Sequence, residues 1–233
     1  MRPSTKDRIA SAAVELFNAS GVGAVTTNHI AAHLGISPGN LYYHFANKEE
    51  IVREAFERMN AEADALWESQ EPGFDPFALQ RIVVGNLQLY GRYLFFAREL
   101  TSLLRADPVL RERYANVVVR RMDQLVSVLE PLVAAGLLTN VGDDADLRAL
   151  AESAWLVGLF CVPYAETVDV ASPPGRSAKA RAVRTQTAIE RGALLVLHLF
   201  KPYMDPFAHT ALLVLVRNEL EAAAAKAAPA RGA

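Results

Sequence analysis

The chain is expected to be all-α, with a head of short helices followed by a larger body of long ones, and three observations carry that expectation. Apolar residues recur at spacings of three and four along most of the chain, which is the mark of one buried helix face. Residues that start and stop helices punctuate this pattern, among them Gly21, Gly35, Ser37-Pro38, Asn47 and Gly136. No run of alternating apolar and polar residues reads as a strand, and no internal repeat is present.

The first helix is read from Lys6 to Phe17, with Ile9, Ala12, Ala13, Leu16 and Phe17 on its inner face. Ser20-Gly21 ends it, because glycine tolerates the left-handed turn that follows a helix. Thr26–Leu34 is a short second helix with Ile30, Ala31 and Leu34 inward, closed by Gly35. Ser37 caps a third helix, and Pro38 stands at its first position, where a missing N–H costs nothing. Leu41, Tyr42 and Phe45 continue that helix. Asn47 caps a fourth, from Lys48 to about Gln70, with Glu49 and Glu50 well placed at the positive end of its dipole.

Glu71-Pro-Gly-Phe-Asp-Pro breaks the pattern, and a helix restarts after Asp75 with Leu79, Ile82, Val83, Asn86, Leu87 and Tyr90 as its inner stripe. Periodicity then runs through Leu104 to Asp107-Pro108, and through Leu110–Ala135 to Gly136. The acidic start Asp143, Asp144, Asp146 leads into a helix over Leu147–Tyr164. Ser172–Gln186, rich in Pro, Ser, Ala and Arg, is expected to be a mobile loop. A final apolar helical region covers Ile189–Leu220, interrupted at Lys201–Pro206. The expected domains are therefore 1–47, a head; 48–221, a helical body; and 222–233, a disordered low-complexity tail.

Composition bounds the function. The 233 residues are 52% hydrophobic and 21% charged, with a formal net charge of −2. So apolar a chain is not disordered, and so neutral a chain is not a generic polyanion binder. The single cysteine, Cys161, cannot close an internal disulfide. No leader pattern opens the chain, and its densest apolar runs, Ala154–Tyr164 and Gly192–Phe200, fall short of the ~18–20 residues of a membrane span. The expectation is a cytoplasmic protein that needs no membrane, metal or cofactor.

The informative segment is Thr26–Glu50, TTNHIAAHLGISPGNLYYHFANKEE. Two helices joined by a short glycine turn are the arrangement that places a second helix in the major groove of DNA. Gly39 adds no bulk at the start of that helix, and Asn40 suits an adenine edge or a phosphate. Tyr42, Tyr43 and His44 cannot all point inward, because consecutive helical residues lie about 100° apart. Lys48 sits at a helix start, where charge and dipole both favour an anion. Met1–Lys48 carries Arg2, Lys6, Arg8 and Lys48 against Asp7 and Glu15, leaving two net positive charges, and the acids gather afterwards. Phosphate binding must then come largely from N–H groups, hydroxyls and helix dipoles.

Over roughly Lys6–Phe56, and above all in GNLYYHFANKEEI, the sequence resembles the DNA-binding domain of the TetR family of bacterial transcriptional regulators. The resemblance implies that Thr26 and Thr27 open the second helix, one capping it and one touching a phosphate, and that Asn28 faces the groove. It implies that Pro38, Gly39, Asn40 and Tyr43 form the groove-facing part of the recognition helix, while Tyr42, His44 and Lys48 hold the backbone. Plain packing is the competing role for Tyr42 and His44, and plain exposure for Lys48. The family often has an acid three residues after the capping threonine; here it is His29, so the reciprocal capping bond is expected to be lost.

The resemblance further implies a double-stranded DNA operator read by a homodimer, with a body that dimerises and encloses a small-molecule effector. The helices Leu147–Tyr164 and Ile189–Phe200 are apolar almost all round, so Leu156, Leu159, Phe160, Leu194 and Leu197 are the candidate dimer interface, with a central core as the alternative. Candidate ligand-binding residues are Asn86, Tyr90, Tyr93, Phe96, Arg98, Trp155, Cys161 and Tyr164, which mix aromatics with a few polar groups; plain core is again the alternative. An activator or a ligand-independent regulator fits the same residues as a repressor. An enzyme finds no support, since HExxH, paired CxxC, GxSxG and P-loop motifs are all lacking. An architectural nucleic-acid binder would need a broad basic stripe, and only Arg176, Lys179, Arg181 and Arg184 suggest one.

Overall fold

The computed structural model describes residues 3–68, 77–168 and 178–227. Among these lie ten helices: α1 (Thr5–Ser20), α2 (Thr27–Leu34), α3 (Pro38–His44), α4 (Lys48–Glu68), α5 (Ala78–Arg92), α6 (Leu94–Ala106), α7 (Pro108–Ala134), α8 (Asp144–Val168), α9 (Ala178–Phe200) and α10 (Pro206–Ala227). The described residues contain no strand, only an isolated antiparallel bridge between Leu138 and Met204. The all-α class follows from the sequence.

Two compact units are present, Met1–Asp64 with Arg92–Val117, and Ala65–Gly91 with Val118–Ala233. This partition differs from a cut at residue 47, for a physical reason. Three short helices bury too little apolar surface to close a core alone, and α4 and α6 supply the missing walls. Phe17 of α1 meets Phe95 of α6 at 5.3 Å between ring centroids, and Phe56 of α4 stacks on Phe96 of α6 at 5.1 Å. Ile9, Ala13, Ile30, Leu41, Phe45 and Ile51 complete this core.

Polar ties fix α6 to α1. Tyr93, ahead of α6, makes no side-chain capping bond. Asn18 of α1 supplies the acceptor instead: its Oδ1 takes the Phe95 N–H at 2.8 Å, and its Nδ2 donates to the Arg92 carbonyl at 2.7 Å. Glu99 Oε1 accepts the Val22 N–H at 2.8 Å, holding the turn after α1. That turn needs Gly21, whose φ of 80° is costly for any residue with a Cβ.

In the second unit α8 and α9 pack closely along one another. A Cβ built on Gly192 of α9 would lie 2.5 Å from Sγ and 2.8 Å from Cβ of Cys161 on α8. A backbone-anchored Cβ cannot swing away, so the helices would have to separate. Gly192→Ala is expected to lower stability by about 1–3 kcal/mol in urea denaturation; an unchanged midpoint would mean this contact is soft.

Several elements depart from the sequence expectations. Ala178–Gln186 belongs to α9 and is not a loop. Its Ala, Lys, Arg and Gln favour helix intrinsically, and a largely solvated helix shows no apolar stripe to read. Residues 172–177 of the expected loop lie outside the described residues. Similarly, α10 continues to Ala227, into the segment expected to be disordered, because alanine is the best helix former; residues 228–233 lie outside the described residues, as does the expected break over 71–76, after which α5 begins at Ala78 as expected.

Candidate nucleic-acid interface and ligand cavity

Thr26, Ser37 and the glycine between them build the head's surface. Thr26 Oγ1 accepts the His29 N–H at 3.2 Å, and His29 Nδ1 accepts the Thr26 N–H at 3.3 Å. The capping box is therefore intact, which corrects the expected loss: an imidazole nitrogen accepts as a carboxylate would. Gly35, at φ 65°, closes α2 in the left-handed conformation. Ser37 Oγ then caps α3 by accepting the Asn40 N–H at 3.2 Å, with Pro38 in the first turn.

Leu41 and Phe45 point into the core, so the rest of α3 faces outward. Pro38, Gly39 and Asn40 are exposed, as is Asn28 at the start of α2. Tyr43 is 84% exposed, with its ring edge-on to His44 at 5.1 Å. Tyr42 is not a core aromatic; its hydroxyl lies 3.0 Å from Thr27 Oγ1, linking the start of α2 to α3. A Cβ on Gly39 would meet only Ser37 Oγ, at 4.0 Å. No packing within the chain requires glycine there.

Lys48 is more than an exposed lysine. Its Nζ donates to the carbonyls of Val22 at 2.7 Å and Val25 at 3.0 Å. It ties the start of α4 to the turn that delivers Thr26, and one donor remains for an anion. Lys6 is likewise engaged, with Glu54 at 2.7 Å, and Arg58 bridges Asp7 and Glu54. Asp7 titrates below the usual carboxylate range, chiefly because Ser4 donates to it.

The second unit holds an apolar cavity that is partly open to solvent. Asn86 and Tyr90 of α5 and Trp155 of α8 line it, together with Trp67, Leu87, Leu125 and Phe200. The Tyr90 and Trp155 rings meet edge to face at 6.1 Å. The other ligand candidates lie elsewhere. The break at Tyr93 splits the stripe Tyr90–Leu104, so Tyr93 and Phe96 pack in the first unit. There the Tyr93 hydroxyl donates to Glu62 at 2.6 Å; burial, then this carboxylate, pushes its pKa far up. Arg98 is exposed and donates to the Asn18 carbonyl at 2.9 Å. Cys161 is buried against Gly192 with its thiol donating to the Gly158 carbonyl at 3.3 Å, and burial pushes it up to about 11. It is an inert packing group. Tyr164 is exposed beneath the Arg191 guanidinium.

Of the interface candidates, Leu156 (50%) and Phe160 (39%) are exposed, and they form a ridge at i, i+4 spacing that continues through Tyr164 and Val168 of α8. Leu195 of α9 is exposed too. Leu159 and Leu197 are buried in their own core, which removes them from any contact surface; Leu194 is half-buried. A helix that is apolar all round divides its residues between core and surface, and only packing shows which are which.

Comparison with known proteins now decides the family. The family model described as "Bacterial transcriptional repressor" matches residues 48–212, and that for "Bacterial regulatory proteins, tetR family" matches 9–55. The chain belongs to the TetR family. It is 40% identical over 129 residues to the biofilm operon icaADBC negative transcriptional regulator IcaR of Staphylococcus epidermidis, covering 54% of this chain and 70% of that one. It is 36% identical over 66 residues to the transcriptional regulator QacR of Staphylococcus aureus, covering 28% of this chain and 35% of that one. The crystal structure of a TetR-family regulator from Marinobacter aquaeolei VT8 superposes with a TM-score of 0.79 at 29% identity, covering 93% of this chain and 98% of that one.

A TetR regulator acts by binding DNA and is not an enzyme. Among the described residues no helix is long and apolar enough to cross a membrane. Sequence reasoning missed Trp67 and Leu125 of the cavity and the Asn18 and Glu99 ties. Trp67 carried a signal, an aromatic at the end of an amphipathic helix just before a Pro-Gly break. Asn18 and Glu99 carried none, since their partners are 77 positions away in sequence.

Proposed function

We propose that this TetR regulator is a cytoplasmic homodimeric repressor that binds a palindromic operator and is released by a small apolar effector. The observation that carries this reading is the outward face of α3, where Asn40 and Tyr43 are exposed and Gly39 leaves room for close approach. Asn40, Tyr43 and Asn28 read base edges. Thr27, Tyr42 and His44 hold phosphates, with Pro38 and Gly39 admitting the backbone. Thr26 and Lys48 act by holding the start of α2. The name of IcaR, a negative regulator, supports repression.

The ridge Leu156, Phe160 and Tyr164 with Leu195 is the proposed two-fold interface, since so continuous an exposed apolar row marks a contact surface. Two heads then read half-sites about 34–36 Å apart, or a multiple of that spacing. An effector in the cavity needs only to prefer a conformation with the wrong spacing. A preference of about 3 kcal/mol weakens binding by roughly two decades.

Mobility-shift titrations test the head. Asn40→Ala should cost about 1–3 kcal/mol of operator affinity with base discrimination relaxed, whereas Tyr42→Phe should weaken all sequences alike. Unchanged affinity in both variants would remove the site assignment. Because Lys6 and Lys48 are already engaged, the salt slope for the dimer should be about −4, well short of the about −10 of lac repressor.

A further inference from the structure

We infer that each operator half-site is read at A·T base pairs, with adenine held by the Asn40 amide and a thymine methyl group packed on the Tyr43 ring, and that no side chain of α2 or α3 grips guanine or cytosine. This rests on the reading above that the outer face of α3 enters the major groove, and it adds which bases that face accepts.

The chemistry that tells base pairs apart in the major groove is fixed. Guanine offers two acceptors, N7 and O6, and is gripped by Arg or Lys, whereas cytosine offers a donor, which calls for Asp or Glu. Adenine sets an acceptor beside a donor, which suits the amide of Asn or Gln, and thymine offers a methyl group. From Thr26 to Asn47, a stretch that spans α2, the turn and α3, the sequence contains no Arg, Lys, Asp, Glu or Gln. The side chains that grip guanine and cytosine are missing, while Asn28 and Asn40 supply two adenine readers. The described cations of the head stand on other elements, Lys6 and Arg8 on α1 and Lys48 at the start of α4. Lys6 is paired with Glu54, and Lys48 holds the Val22 and Val25 carbonyls.

Asn40 is exposed, and its backbone N–H is spent on Ser37. Among the described residues no hydrogen bond engages its side chain, so its carbonyl and its NH₂ are both available to an adenine edge. Gly39 precedes it with open space where a Cβ would stand, apart from Ser37 Oγ at 4.0 Å, so a base edge can approach the helix closely. Tyr43 lies three residues on and shares that face. Its 84% exposure leaves an aromatic surface whose burial on binding is favourable, and the thymine methyl is the apolar group that base edges present there. The other N–H side chains of the segment are three histidines, each with a different partner. His29 closes the cap of α2, His33 lies 3.4 Å from Glu15, and His44 is half-buried beside the Tyr43 ring.

The full-length protein is used to select operators from a duplex library with a randomised core. The selected duplex is then remade with single modified bases for mobility-shift titration. The invariant positions of each half-site should be A·T pairs. 7-Deazaadenine, which lacks the N7 acceptor, should weaken wild-type binding about fivefold at one such position, and binding of Asn40→Ala less than about twofold there. Uracil for thymine removes only the methyl group; it should cost the wild type about threefold at a neighbouring pair, and Tyr43→Ala less than about twofold. 7-Deazaguanine should be tolerated within about twofold throughout the half-site. A loss of about fivefold or more with 7-deazaguanine overturns the A·T assignment and leaves α3 in the groove. A 7-deazaadenine loss that persists in full in Asn40→Ala overturns it too. Indifference of the wild type to all three modified bases overturns the placing of α3 as well. The wild-type series tests the inference even if a variant fails to fold.

Discussion

If the α8 ridge is the proposed two-fold interface, Leu156→Glu combined with Phe160→Glu is expected to leave a folded monomer and to lower operator affinity at least about a hundredfold. Both side chains are exposed on the α8 ridge, so a carboxylate costs little in the isolated chain. Across a two-fold axis each substitution appears twice, and burying unpaired charges costs several kcal/mol per ion by general experience. A lone head then covers one half-site, which forfeits most of the affinity and specificity of a paired site. Sedimentation velocity should show the monomer mass with an unchanged far-ultraviolet dichroism spectrum. Retention of the dimer mass would move the interface to another face of the molecule.

Asp107→Ala is expected to cost about 3 kcal/mol of stability near neutral pH, from a lost cap and a broken ion pair together. One oxygen of Asp107 accepts the Val109 and Leu110 N–H groups at 3.0 and 3.1 Å, opening α7. The other accepts from Arg53 of α4 at 2.7 Å. Removing the side chain orphans two amides and leaves a half-buried guanidinium unpaired. Burial pushes this carboxyl up, but the Leu110 amide and Arg53 outweigh it, and it titrates below the usual carboxylate range. A depressed carboxyl contributes stability that is full above the unfolded value of about 4 and is lost as pH falls through the lower folded value. Asp107→Asn should therefore trail the wild type by a constant margin from pH 7 to about pH 5, and the gap should close in more acidic solution. A gap that widens below pH 4 in urea titrations would contradict the assignment.

Legibility was highest where chemistry is local. Ser37-Pro38 at the start of α3, Gly35 after α2 and the paired inner residues Leu41 and Phe45 all act within one or two turns, and each is in place. His29 shows the limit of that logic. The rule names an acid, but the physical need is an acceptor at the right reach, and an imidazole nitrogen supplies it. The same limit applies to Lys48, whose position at a helix start suggested an anion while two of its three ammonium donors hold Val22 and Val25.

The sequence by itself determined the all-α class, most of the helices, the Gly35 and Ser37 caps of the head and the family, because these depend on periodicity and on residues within a few positions of one another. Only the tertiary structure decided how the long apolar helices share their residues out. It placed Tyr90 on a cavity wall and Tyr93 beside Glu62, and it buried Leu159 while leaving Phe160 exposed. It also brought Trp67 of α4 and Trp155 of α8 to one cavity. The reason is geometric. A helix that is apolar on every side carries no record of which neighbour will cover which face, and that choice is made when distant segments pack.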